Sequence, residues 1–131
     1  MVLSSNFFIF FLIILLEVII IQIYFFWKIG KFLFDKKSKC LNVVEKTSCF
    51  LSYYYGDSYI FSLENIIMMK KFYLYFPIYS KYIEKIEWPY YMKLLRLNKK
   101  ECYFYYKIIL FCNCNISELD LLINNNTFLR I

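Results

Sequence analysis

The chain has 131 residues and a formal net charge of +6; 61% of it is hydrophobic, 24% is aromatic, and it holds no His, 2 Gly and 2 Pro. So much apolar content excludes a disordered chain. Without His the commonest general base and the commonest zinc ligand are missing, and Gly30 and Gly56 alone cannot build a Gly-rich phosphate loop.

Ala is absent and Arg occurs twice, whereas Lys, Asn, Ile, Phe and Tyr abound. That skew is expected of an AT-rich genome, such as an organelle's (plastid or mitochondrion), and it weakens composition as a guide to function. Four segments follow from the patterning: a leader over 1–6, a transmembrane helix over 7–27, a basic linker over 28–39 and a small basic, aromatic-rich α+β domain over 40–131. The fold class expected is therefore a membrane protein with one N-terminal transmembrane α-helix followed by a small α+β domain.

Phe7 to Trp27 is the strongest single signal. Seventeen of its 21 residues are Leu, Ile, Val or Phe, and only Glu17 and Gln22 interrupt the apolar character. At about 1.5 Å per residue the run spans roughly 30 Å as a helix, the thickness of a hydrocarbon core. Tyr24 and Trp27 stand at its edge, where rings prefer the headgroup level. The leader carries no Lys or Arg and no small-residue cleavage site follows, which argues against a signal peptide. Lys28, Lys31, Lys36, Lys37 and Lys39 crowd the C-terminal flank, so the positive-inside rule places the N-terminus outside and residues 28–131 on the cytoplasmic, matrix or stromal side. Cys40, Cys49, Cys102, Cys112 and Cys114 then face a reducing compartment as free thiols. Glu17, at mid-run, is the expected contact with a partner helix, with Gln22 as a second polar position.

Beyond the linker, Val43-Val44 and Cys49 to Tyr55 read as short strands. Gly56-Asp57 reads as a two-residue hairpin turn, with Ser58 to Phe61 as the return strand. Ser62 is placed to cap a helix running toward Tyr75, and Pro77 follows its end. Ser80 to Trp88, with Tyr79 just ahead of it, places Tyr79, Tyr82, Ile83 and Ile86 on one helical face with Lys81, Glu84, Lys85 and Glu87 opposite. Pro89 opens a further helix ending near Asn98, Tyr103 to Cys112 reads as a buried strand, and Ser117 to Asp120 resembles a capping box ahead of a last short helix.

Positive charge concentrates between Lys70 and Lys107. Nine basic residues (Lys70, Lys71, Lys81, Lys85, Lys93, Arg96, Lys99, Lys100, Lys107) meet three acidic ones there, which equals the net charge of the whole chain. A solvated basic surface is the plainest reading. Contact with anionic headgroups comes second, because the anchor would hold this window at a bilayer. Nucleic acid, with Lys on phosphates and rings on bases, is the least favoured of the three. Cys112-Asn113-Cys114 is too tightly spaced for an ordinary zinc pair, and no nucleophile or carboxylate pair has an acid/base frame.

No catalytic, cofactor-binding or metal site is expected, and no small-molecule substrate is evident. The expected role is a non-catalytic structural or accessory subunit of a membrane complex, its partners the lipid bilayer and other subunits. The alternatives are a membrane-tethered basic module for anionic lipid or nucleic acid, or a non-selected reading frame of an AT-rich genome.

Overall fold

A computed structural model describes residues 2–35 and 43–130, and every element among them is helical. The order is α1 (Val2–Asp35), α2 (Val43–Tyr55), α3 (Leu63–Tyr75), α4 (Lys81–Glu84), α5 (Trp88–Leu94), α6 (Lys99–Cys112) and α7 (Ile116–Asn124), closed by a 3-10 turn, Thr127–Arg130. Among the described residues there is no strand, so the expected α+β domain is corrected to an all-helical one.

Three of the four strand-like runs are helical, Val43-Val44 and Cys49 to Tyr55 in α2 and Tyr103 to Cys112 in α6, their 3.6-residue period masked by rings on the outer face. In α6 the buried positions are Cys102, Tyr105 and Ile109, a helical i, i+3, i+7 row, while Phe111 lies exposed at its end. In α2 Leu51 is buried and Phe50, Tyr53 and Tyr54 point outward. A chain this rich in Tyr and Phe spends aromatic side chains on the surface, so alternation with polar residues no longer marks the helix. Gly56, at φ +68°, sits just past the end of α2 instead of in a hairpin. Residues 58–61 form turns, tied by the Asp57 carboxylate, which accepts from the N–H groups of Tyr59 at 3.0 Å and Ile60 at 2.9 Å.

Ser62 caps α3 as expected, its side chain accepting from Asn65 N–H. The amphipathic stretch after Ser80 is helical only from Lys81 to Glu84. Pro89 has no N–H and tolerates only a first helical turn, so α5 starts afresh at Trp88 and the chain breaks ahead of it at Glu87. The last capping box uses Asn115 with Glu118, two residues earlier than Ser117, because Asn113 turns the chain through the left-handed region at φ 49°.

The transmembrane assignment is corrected as well. The C-terminal part of the apolar run is the spine of the protein core: Ile23, Phe26, Trp27, Ile29 and Leu33 of α1 are buried against Ile66, Met69 and Phe72 of α3 and Tyr91, Leu94 and Leu95 in and after α5. Trp27 does not sit at a headgroup level; it is buried and donates its indole N–H to the Phe76 carbonyl at 2.7 Å. Ahead of that core only the 16 residues from Phe7 to Gln22 remain, fewer than the ~20 that cross a bilayer as a helix. Among the described residues no helix is long and apolar enough to cross a membrane. The single-pass placement, the N-out sidedness and the role in a membrane complex rested on that span and fall with it.

The α1–α3 contact is close because Gly30 has no side chain. A Cβ at Gly30 would stand 2.0 Å from the Met69 carbonyl oxygen and 3.0 Å from Tyr73 Cβ. Neither is a flexible side-chain end, so Gly30→Ala must push the two helices apart. Urea unfolding should show a loss of about 3 kcal/mol or more, the upper range for overpacking. Gly56→Ala meets nothing within 4 Å and strains only its own backbone, so it should cost about 1–2 kcal/mol.

Candidate functional site

The helix ends of this protein meet at aromatic side chains. Tyr75, the last residue of α3, donates its hydroxyl to the Leu97 carbonyl at 2.9 Å, between α5 and α6. Tyr103 of α6 in turn donates to the Tyr75 carbonyl. These two bonds hold the end of α3 against the start of α6, and they bring together lysines that are 28 residues apart in sequence. Lys71 Nζ lies 5.3 Å from the centre of the Tyr75 ring, and Lys99 Nζ lies 5.9 Å from that of Tyr103. Lys70 and Lys100 flank this pair along the chain.

The junction is left electropositive. Among the described residues two ion pairs form, Lys93 with Asp120 at 2.7 Å and Arg96 with Glu64 at 3.0 Å. Lys70, Lys71, Lys99 and Lys100 take part in neither. The nearby Glu101 carboxylate is occupied by the Asn98 side-chain amide at 3.0 Å. A lysine over a ring face keeps its charge available to a third party, because the ring quadrupole attracts the cation without neutralising it.

The other basic positions of the Lys70–Lys107 window are scattered. Lys81 and Lys85 are exposed around α4, with Lys85 5.1 Å from the Tyr82 ring centre. Lys107 is exposed on α6. A second cation–ring set lies outside the window: Lys28 stands 5.4 Å from the Tyr24 ring centre and Lys31 5.7 Å from that of Trp27. Sequence reasoning had placed these two lysines only as a membrane flank. The Glu17 side chain lies outside the described residues. Gln22 is half-buried beside a cavity of about 330 Å³ lined by Ile21, Phe25, Tyr55 and Phe61.

Two further concavities open on the surface. An apolar groove of about 550 Å³ runs between α1 and α2, walled by Phe25, Ile29, Val43, Phe50 and Leu51. A second, of about 340 Å³, opens where the start of α3 meets α5 and is lined by Tyr59, Asn65, Trp88, Lys93 and Arg96. Trp88 is one of the aromatics that interleave the basic window in the sequence, but no local spacing relates it to Tyr59 and Asn65. No group of three His, Cys, Asp or Glu side chains able to hold a metal ion occurs among the described residues.

The thiols divide by environment. Cys49 and Cys112 are exposed, Cys102 and Cys114 are buried, and Cys40 lies outside the described residues. Burial pushes the Cys102 thiol up from 9.0 to about 12, with the charge of Lys71 pulling the other way. Burial also raises Cys114 and the hydroxyls of Tyr79 and Tyr91. A thiol held protonated is a poor nucleophile. Iodoacetamide at pH 8 followed by peptide mapping should therefore modify Cys49 and Cys112 in the native protein and spare Cys102 until it unfolds. The unfolded Cys102 thiol ionises near 9.0 and the folded one near 12, so the folded state keeps the proton longer. Its contribution to stability is full below pH 9 and is lost as pH rises from 9 through 12, which should appear as a falling Tm over that interval.

No curated protein and no solved structure matches the chain. Residues 14–130 match the DUF1016 N-terminal domain. The match begins inside the apolar run read as a membrane anchor, and its extent overturns the reading of the chain as a non-selected reading frame. The chain therefore belongs to the DUF1016 N-terminal domain family.

Proposed function

We propose that this chain is a non-catalytic binding domain for nucleic acid, gripping the phosphate backbone with the lysines where α3 meets α6. The observation that carries this reading is the convergence of Lys71 and Lys99 on a hydrogen-bonded tyrosine pair, with ring faces in place of carboxylates beneath them. Such an arrangement offers charge for phosphates and rings for bases in one place. The sequence ranked anionic lipid ahead of nucleic acid only because an anchor would hold the domain at a bilayer, and that premise is gone. The non-catalytic part of the reading is supported by the absence of His and by the protonated state of the buried Cys102 thiol.

The test is fluorescence anisotropy of labelled oligonucleotides as salt is varied. If Lys70, Lys71, Lys99 and Lys100 each neutralise a phosphate, log affinity should fall with log salt at a slope of about −3.6 on duplex DNA, roughly a hundredfold between 50 and 200 mM. Lys71→Glu with Lys99→Glu should lower affinity at least tenfold while leaving the melting temperature of the protein nearly unchanged. Binding to anionic phospholipid vesicles with none to oligonucleotides would overturn the proposal, as would affinity indifferent to salt.

A further inference from the structure

The cavity at the start of α3 lies about ten residues along that helix from the lysine junction and differs from it in chemistry. Arg96, on its rim, is followed directly by Leu97, whose carbonyl receives the Tyr75 hydroxyl, and Lys99 stands three residues on. The stretch 96–99 thus links the rim of the cavity to the cationic junction at the other end of α3. The apolar walls of the cavity are Tyr59, Trp88, Pro89 and Met92. Tyr59 is 85% exposed, and Trp88 is half-buried, with Phe26 at 4.8 Å and Phe72 at 5.5 Å fixing it from behind.

The polar groups on the rim are held in place yet keep hydrogen-bonding capacity. Asn65 donates its amide to the Tyr59 carbonyl at 3.0 Å, which leaves its side-chain oxygen as an acceptor. Arg96 gives one terminal nitrogen to Glu64 at 3.0 Å, and Lys93 meets Asp120 at 2.7 Å. A guanidinium has five N–H donors and an ammonium three, so each retains several. The two carboxylates cancel the two cations, and the cavity as a whole is close to neutral. A phosphate gains little there. A flat, uncharged ring with donors and acceptors along its edge matches both walls and rim, and a volume of about 340 Å³ admits one.

We propose that this cavity takes a single unstacked nucleobase, stacked on Trp88 and Tyr59 with its edge toward Asn65 and Arg96, while the adjoining phosphates run onto the Lys71–Lys99 junction. The inference rests on the nucleic-acid reading above and deepens it: the preferred ligand is a single strand or an unpaired end, because a base inside a duplex cannot leave its stack without cost.

The experiment titrates the full chain with a single-stranded oligonucleotide, its duplex, and an abasic strand of equal length and charge, following anisotropy and tryptophan emission together. Trp27 is buried and hydrogen-bonded, so a ligand reaching a tryptophan reaches Trp88. The single strand should bind about tenfold tighter than the duplex and quench emission, and the abasic strand should bind without quenching. Tyr59→Ala, which removes an exposed ring, should lower single-strand affinity about tenfold, within the range for one base–aromatic stack, and change duplex affinity less than twofold. Equal, salt-dependent binding of strand and duplex with unchanged emission would overturn the base pocket and leave the phosphate-binding reading standing. Binding to none of the three would overturn both.

Discussion

Helix-end carbonyls need donors, and in this protein aromatic side chains supply them. The last turn of a helix leaves carbonyl oxygens without intrahelical partners. Many proteins meet the need with a glycine in the left-handed conformation, but this chain has only two glycines, and only Gly56 serves that way, at the end of α2. Asn113 substitutes at the end of α6. Elsewhere rings reach across from other helices. The Trp27 indole bonds to Phe76 at 2.7 Å, the Tyr91 hydroxyl to Ile83 at 2.6 Å, the Tyr75 hydroxyl to Leu97 at 2.9 Å and the Tyr105 hydroxyl to Leu122 at 3.3 Å. Each bond joins two different parts of the chain and sits on a ring that also fills the core. Capping and tertiary packing are therefore one interaction here.

This constraint shapes the cationic surface. A tyrosine that must reach a distant carbonyl brings its own helix with it, and the lysine one turn away comes along. Lys71 travels with Tyr75 and Lys99 with Tyr103, so the bond between those tyrosines assembles a cationic junction out of two helices whose own charges are ordinary. Trp88 is fixed in the same manner, by ring contacts to Phe26, Phe72 and Tyr91, which leaves part of it open beside Tyr59. Rigid aromatic supports spend little side-chain entropy on binding, because a ring already held by packing has little freedom left to lose.

The apolar run near the N-terminus shows how one pattern can arise from two physical causes. A stretch without a polar stripe is required of a helix in lipid, and equally of a helix surrounded by protein. Ile23, Phe26 and Trp27 are buried on one side by α3 and α5, and Tyr24 and Phe25 are covered in part by Tyr79, Tyr55 and Phe61. Packing accounts for the apolar residues at 23, 26 and 27, whereas Ile20, Ile21 and Tyr24 are apolar on an open face, 40%, 63% and 42% exposed. Gly30, which reads as an unremarkable residue in a basic linker, is a point where α1 and α3 pack too closely to admit a side chain.

What the sequence determined by itself was local and chemical. Ser62 as a cap, Pro89 in a first turn and the charge window all follow from residue identity and short spacing. The cation–ring pairs were legible too, at i, i+3 or i+4 (Tyr24 and Lys28, Trp27 and Lys31, Lys71 and Tyr75, Tyr82 and Lys85, Lys99 and Tyr103), though only to a reader who already had helices there. The tertiary structure decided the rest. Periodicity could not separate helix from strand where exposed positions such as Phe50, Tyr53 and Phe111 carry rings, nor lipid from protein around α1, because burial is a property of what packs against a residue and not of the residue itself. Nor could it join Tyr75 to Leu97 or Tyr59 to Trp88, since long-range contacts leave no trace in local spacing.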